Sequence, residues 1–203
     1  MSRGHWNSYL ELLPTNLKTE CNEYVRWQDK HYCVFGKLIL LRGLEAIGLG
    51  ALQLGELKYT EFEKPYLTGN IDFNISHSGG HIICAIAENI KLGIDIERIN
   101  EIDFSDYTQV MTTNQWNEIN RSKNPLHTFY RFWTIKESIM KADGRGFRID
   151  PKDISIKENI GRHKSSTWYL TEIDISNEVC TCLATSPTDV SIQIEEVDFY
   201  YGN

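Results

Sequence analysis

Several kinds of protein are excluded by what this chain lacks. Only five of its 203 residues are cysteine. That odd number cannot pair completely, and none of the five has the spacing of a zinc site. We therefore expect reduced structural thiols, as in a cytoplasmic protein. Cys180 and Cys182 lie two apart on one strand face, and Cys84 sits inside an apolar strand. No apolar run approaches the ~20 residues of a membrane helix, so no membrane partner is expected. The opening MSRGHWNSYLELL has neither the apolar core nor the small-residue cleavage site of a signal peptide. Basic charge is scarce: 21 Lys and Arg stand against 28 Asp and Glu, a net charge of −7. That balance argues against nucleic acid as a partner. There is no GxxxxGK[ST] loop to cradle a nucleoside triphosphate. What remains is the composition of an ordinary soluble globular protein, long enough for one large or two small domains.

The most informative stretch runs from Asp72 to Ile99, DFNISHSGGHIICAIAENIKLGIDIERI. Its texture gives three consecutive strands, the first running into a polar turn from Ser76 to Gly80. The second, His81 to Ala87, is apolar on both faces, as in a strand buried on both sides. The third alternates, which puts Asp95 and Glu97 on one face, their attachment points ~6.6 Å apart at ~3.3 Å per residue. Two such charges repel by roughly 2–3 kcal/mol at an effective dielectric of about 20, and by only about 0.6 kcal/mol in water. The pair therefore describes either a solvated strand face or a cleft that wants a cation. Oxygen ligands of this kind favour Mg²⁺, which takes one or two carboxylates together with phosphates and water.

Around this stretch the chain alternates helix and strand. The first 20 residues have weak periodicity. From Glu23 to Leu49 the pattern is helical, with Gly36 and Gly43 seven apart, where a neighbouring element could approach closely. Tyr59 to Pro65 is extended, since Pro65 blocks a helix through Lys64. Residues 113–122 are expected to be helical, capped by Thr113 or Asn114. PLHTFYRFWTIKESIMKAD (125–143) is the strongest helix, with Trp133, Glu137 and Lys141 along one face. Taken alone, that face is also what a surface Glu–Lys pair beside a core Trp looks like. Strands are expected over 153–157, 167–173, 178–185 and 191–199. Helix-then-strands thus occurs twice, which suggests a pseudo-duplicated α+β chain with halves 1–99 and 100–203 and a ligand cleft between them. Between Arg121 and Arg148 seven basic residues meet only two acidic ones, a local +5 in a chain that is otherwise −12. Such a patch suits either solvent or a polyanion.

FNISHSGG (73–80), LGIDIER (92–98) and FWTIKESIMKADGRGF (132–147), in this order, resemble the signatures of the 4′-phosphopantetheinyl transferases, most closely the large single-chain surfactin-synthetase type. The resemblance spans residues 26–147. It implies two similar α+β halves in pseudo-two-fold arrangement with coenzyme A between them. It also implies transfer of the phosphopantetheine arm to a serine of an apo acyl or peptidyl carrier protein, giving 3′,5′-ADP. By the same resemblance, Asp95, Glu97 and Glu137 would ligate Mg²⁺ or Mn²⁺, and Lys141 would contact the pyrophosphate. Ser76 and His77 would contact coenzyme A phosphates. Lys64 matches the lysine of a GKP-like element near the nucleotide, and QDKHYCVFGK (28–37) matches a nucleotide-binding helix. Members of the class are expected to act as monomers.

The serine proton needs a base, for which Glu137 or a metal-bound water is the candidate. The chain departs from the family pattern at two points. Tyr32 follows His31 where an Arg is usual, with Lys30 or Lys37 as substitutes. Gln115 precedes Trp116 where a Glu is usual. Met111, Trp116, Arg121 and Lys123 are candidate carrier contacts. Two rival functions are another phosphoryl or nucleotidyl enzyme, disfavoured by the missing P-loop, and an inactive binding module, disfavoured by the intact set Asp95, Glu97, Glu137 and Lys141.

Overall fold

The computed structural model describes residues 3–186 and 190–199. The weakly periodic N-terminal region forms two helices, α1 (Arg3–Glu11) and α2 (Thr15–Glu23). They bury Tyr9, Leu13, Leu17 and Cys21 against α3 (Trp27–Ala46). The expected close approach occurs at both glycines of α3. A Cβ on Gly36 would lie 3.3 Å from Ile75 Cγ2, and one on Gly43 would lie 3.1 Å from Ile86 Cγ2. α4 (Ala51–Gly55) and a short hairpin, β1 (Lys58–Tyr59) and β2 (Pro65–Tyr66), complete this layer.

Cys21 and Cys33 are joined by a disulfide. This corrects the expectation of five reduced thiols; Cys84, Cys180 and Cys182 are free. The cause is tertiary. The turn after α2 folds the chain back on itself, so cysteines 12 positions apart come to a Cα separation of 5.5 Å.

β3 (Ile71–Ser78) and β4 (His81–Glu88) form a hairpin with Ser78 opposite His81. Gly79 and Gly80, at φ 58° and 88°, make the two-residue turn. Both central residues have positive φ, as the twist-compatible hairpin turns require. The turn thus begins three residues later than the polar run suggested, and Ser76 to Ser78 are still strand. β5 (Leu92–Arg98) follows.

A 3₁₀ turn (Phe104–Tyr107) leads to α5 (Thr113–Arg121) and α6 (Pro125–Asp143). α5 is capped by Thr112, one residue before the expected positions, with Gln115 closing the capping box. Asn124 caps α6, Pro125 opens it, and Gly144 ends it in the left-handed conformation at φ 88°. β6 (Ser155–Lys157), β7 (Ile160–His163), β8 (Ser166–Glu172) and β9 (Val179–Thr185) then build an antiparallel sheet in the order β5-β9-β8-β7-β6. β7 carries too little alternation to stand out in the sequence. The strand expected over 191–199 is not a strand. Its Ile192 and Ile194 stay exposed, while Phe199 reaches back to stack near Tyr9 and Phe35.

α6 lies across this sheet. Ile135, Ile139, Met140 and Ala142 pack on Trp168, Leu170, Cys182 and Ala184. The helix's other side joins Met111, Ile119 and an aromatic group around Phe129. The architecture is mixed α+β, as expected.

Candidate active site

β5 presents different chemistry to its two sides. Leu92 and Ile94 pack with Leu183 against Ile83, Ala85 and Ala87 of β4. Gly93 and Asp95, paired with Ala184 and Cys182, face α6. One edge of β5 bonds to β9. Along the other edge the main-chain partners are side chains of β3. Leu92 N–H donates to Asp72 Oδ2 (3.0 Å), Ile94 N–H to Asn74 Oδ1 (2.8 Å), Ile96 N–H to Ser76 Oγ (3.4 Å) and Arg98 N–H to Ser78 Oγ (3.0 Å). Because side chains on a strand repeat every second residue, four alternate residues of β3 meet four alternate amides of β5 in register. This polar ladder fixes Asp95 and Glu97 relative to the β3–β4 hairpin.

Gly93 sets the distance of α6. A Cβ there would lie 2.2 Å from Ser138 O and 2.3 Å from Ala142 N, both main-chain atoms. Only glycine lets the helix seat this closely. Seated so, α6 brings Lys141 Nζ to 2.6 Å from Asp95 Oδ1 and 2.8 Å from Ser76 Oγ. Ser76 Oγ in turn donates to Asp95 Oδ1 at 2.9 Å. Two turns earlier on the same face, Trp133 lies near the Glu97 carboxylate, which accepts from Ser78 Oγ at 3.0 Å. Glu137 lies between these two contacts on the helix, 8% exposed.

Of the three carboxylates, Asp95 pairs with the Lys141 ammonium, while Glu97 and Glu137 feel its charge and that of Asp95. Burial raises all three carboxyls above the ordinary range. For Asp95 it outweighs Lys141 and Ser76. Glu97 is raised by burial and then by the like charge of Asp95. Glu137 is pushed up to about 7 by burial and by Asp95 and Glu97. Asp95 Oδ2 is buried with no hydrogen-bond partner. No group of three or more His, Cys, Asp or Glu among the described residues is arranged to hold a metal ion. The donor chemistry nonetheless suits a hard divalent cation, since the excess charge and the unpartnered oxygen are both carboxylate.

His77 is exposed, and its ring lies flat on Tyr32, with centroids 3.9 Å apart and planes 2° apart. Desolvation, and then the Lys141 charge, holds its imidazole below the usual range. The residue standing where an Arg is usual is thus an aromatic partner for His77. Both rings line a cavity of about 360 Å³ with Glu20, Lys37 and Tyr59; Lys30 does not line it. Glu20 accepts from Lys37 and Tyr59 at 2.8 and 2.7 Å. Lys64 pairs with Asp72 at 3.3 Å. Of the candidate carrier contacts, Arg121 and Lys123 are exposed, whereas Met111 is 1% exposed and belongs to the core.

Among the described residues, no helix is long and apolar enough to cross a membrane. The sequence model of the 4′-phosphopantetheinyl transferase superfamily matches residues 91–190, from β5 through the end of the sheet. The 4′-phosphopantetheinyl transferase gsp of Aneurinibacillus migulanus is 31% identical over 189 residues, covering 86% of this chain and 79% of that protein. The 4′-phosphopantetheinyl transferase Sfp of Bacillus subtilis strain 168 is 24% identical over 163 residues, 77% of this chain and 71% of Sfp. The L-aminoadipate-semialdehyde dehydrogenase-phosphopantetheinyl transferase of Xenopus laevis is 28% identical over 165 residues, 66% of this chain and 55% of that protein. With the motif residues gathered where β5 meets α6, these similarities establish that the chain is an enzyme of the 4′-phosphopantetheinyl transferase family.

Proposed function

We propose that this enzyme moves the 4′-phosphopantetheine arm of coenzyme A onto a serine hydroxyl of an apo acyl or peptidyl carrier protein. The phosphoanhydride bond of coenzyme A breaks, the serine Oγ–phosphorus bond forms, and 3′,5′-ADP leaves with the electron pair. The observation that carries this reading is the buried Asp95–Lys141 pair with an unpartnered Asp95 oxygen, with Glu97 and Glu137 within reach of its charges. Asp95, Glu97 and Glu137 would hold Mg²⁺ or Mn²⁺. Such an ion neutralises charge developing on a pyrophosphate. Lys141, fixed by Ser76 and Asp95, is placed to face phosphate oxygens. Glu137 is the candidate to accept the serine proton. Ser76 and His77 would contact the coenzyme A phosphates, with Lys64 and Lys30 toward the nucleotide. In this reading the segments 1–99 and 100–203 are two α+β halves that bind coenzyme A between them. A single chain then completes the site, so the enzyme acts as a monomer. Arg121 and Lys123 offer an exposed basic patch to a carrier, locally complementary on an otherwise acidic protein.

The test is to mix the enzyme with coenzyme A, Mg²⁺ and a panel of apo carrier proteins and to measure intact carrier masses. The expected result is a gain of one phosphopantetheine that disappears with a chelator. Coenzyme A binding without any mass gain would refute the transfer, and no binding would refute the whole reading.

A further inference from the structure

Two serines of β3 hold two carboxylates of β5 by the same arrangement, repeated two residues on. Ser76 Oγ accepts the amide that follows Asp95 and donates its proton to Asp95 Oδ1. Ser78 Oγ accepts the amide that follows Glu97 and donates its proton to Glu97 Oε2. A hydroxyl has one proton, so each serine is committed to one carboxylate. The resemblance gives Ser76 a role and gives Ser78 none. The turn beside Ser78 is built for this closeness. A Cβ on Gly79 would lie 2.6 Å from Arg98 Cδ, and Gly79 has φ 58°. The end of β3 is therefore drawn against the end of β5.

We propose that Ser78 is a positioning residue of the transferase, one that fixes the Glu97 carboxylate for the divalent cation. This inference rests on the reading of the site given above. Glu97 has a flexible stem, and its carboxylate is restrained by the hydrogen bond from Ser78 on the β3–β4 hairpin. Without the hydroxyl, Glu97 keeps its charge but loses its fixed orientation, and partners of metal ligands typically matter about 10–100-fold in metal affinity.

The experiment uses the full chain with coenzyme A and reads Mn²⁺ binding by electron paramagnetic resonance, alongside the Mg²⁺ dependence of transfer. Ser78→Ala is expected to weaken Mn²⁺ binding about tenfold or more. It should raise the Mg²⁺ half-saturation by the same factor and leave the coenzyme A KM at saturating Mg²⁺ within about twofold. Ser78→Thr keeps the hydroxyl and should return both metal readouts to near wild type. Ser78→Val, its isostere without the hydroxyl, should not, and this pair decides the matter if the alanine variant folds poorly. In a Glu97→Ala background, Ser78→Ala should add nothing. Wild-type Mn²⁺ affinity in Ser78→Ala or Ser78→Val would overturn the proposal, as would an enzyme that binds no Mn²⁺ at all. Should the wild type bind Mn²⁺ yet transfer to no carrier, the functional reading fails while the comparison of variants still decides the role of Ser78.

Discussion

Gly93→Ala should damage the active site without touching any charged group. The added Cβ would lie 2.2 Å from Ser138 O and 2.3 Å from Ala142 N. Both belong to the α6 backbone, so no rotamer change relieves the clash. Ordinary contact demands that α6 retreat by about 1 Å. Such overpacking costs about 2 kcal/mol, or ~4–8 °C of Tm in a chain of this size. The catalytic effect is larger. Lys141 is long enough to follow Asp95 across the gap, but Glu137 has a short stem and moves with the helix. A displacement near 1 Å at a reacting geometry costs roughly 10²-fold in kcat. Gly161→Ala is the matched control. Its Cβ would also press on α6, but on Ile139 Cδ1, the end of a flexible side chain. It should lower Tm and leave kcat nearly intact. Calorimetry and carrier mass analysis on the two variants provide the test. Full kcat in a folded Gly93→Ala enzyme would refute the idea that the seat of α6 on β5 sets the site.

Glu137→Gln should fold and lose transfer, because the amide takes no proton and, uncharged, holds a hard cation far more weakly; retained turnover at saturating Mg²⁺ would exclude both roles for Glu137. The Glu137 carboxyl stands at about 7 against an ordinary 4.5, so its contribution to stability is complete below pH 4.5 and is lost as pH rises through about 7. The stability of chelator-treated enzyme should therefore fall between pH 4.5 and 7, by an amount of order 3 kcal/mol seen as a falling Tm, and Glu137→Gln should flatten that slope. Reducing the Cys21–Cys33 bond, or substituting Cys21→Ser, should cost about 3 kcal/mol for a closed loop of this length; an unchanged melting curve after reduction would show the pair is not joined. Lys141→Met leaves the buried Asp95 carboxylate without its ammonium and should cost about 3–5 kcal/mol, a loss that titration with Mg²⁺ should partly reverse in thermal melts.

Much of the site was legible in the sequence because its parts obey local periodicities. The period of two along β5 put Asp95 and Glu97 on one face, and the period of 3.6 along α6 aligned Trp133, Glu137 and Lys141. What one strand or helix cannot reveal is which neighbour it meets. The disulfide was missed for that reason, since Cys21 and Cys33 belong to different helices joined by a turn of unremarkable sequence. The importance of Gly93 lies in the helix above it, which the strand's own sequence does not show. The alternation of polar Asp72, Asn74, Ser76 and Ser78 with apolar Phe73 and Ile75 was a visible signal. The pattern gives a strand that ends before Ser76, whereas the strand runs on to Ser78 and its polar face serves another strand's amides. The expected last strand over 191–199 fails for a related reason. Alternation alone does not supply a sheet edge, and the segment instead sends Phe199 to the N-terminal core.

The seam between β3 and β5 differs in kind from the sheets on either side of it. A backbone ladder is indifferent to sequence, because almost every residue carries the same amide and carbonyl. Here each rung depends on the identity of one side chain in β3. A single base change in the gene can therefore delete one rung, lengthen it or charge it while the rest stay in place. The join between the β3–β4 hairpin and the strand that carries Asp95 and Glu97 is thus open to point mutation in a way that ordinary sheet pairing is not. Small shifts in how the two are set against each other are within reach of selection, one residue at a time.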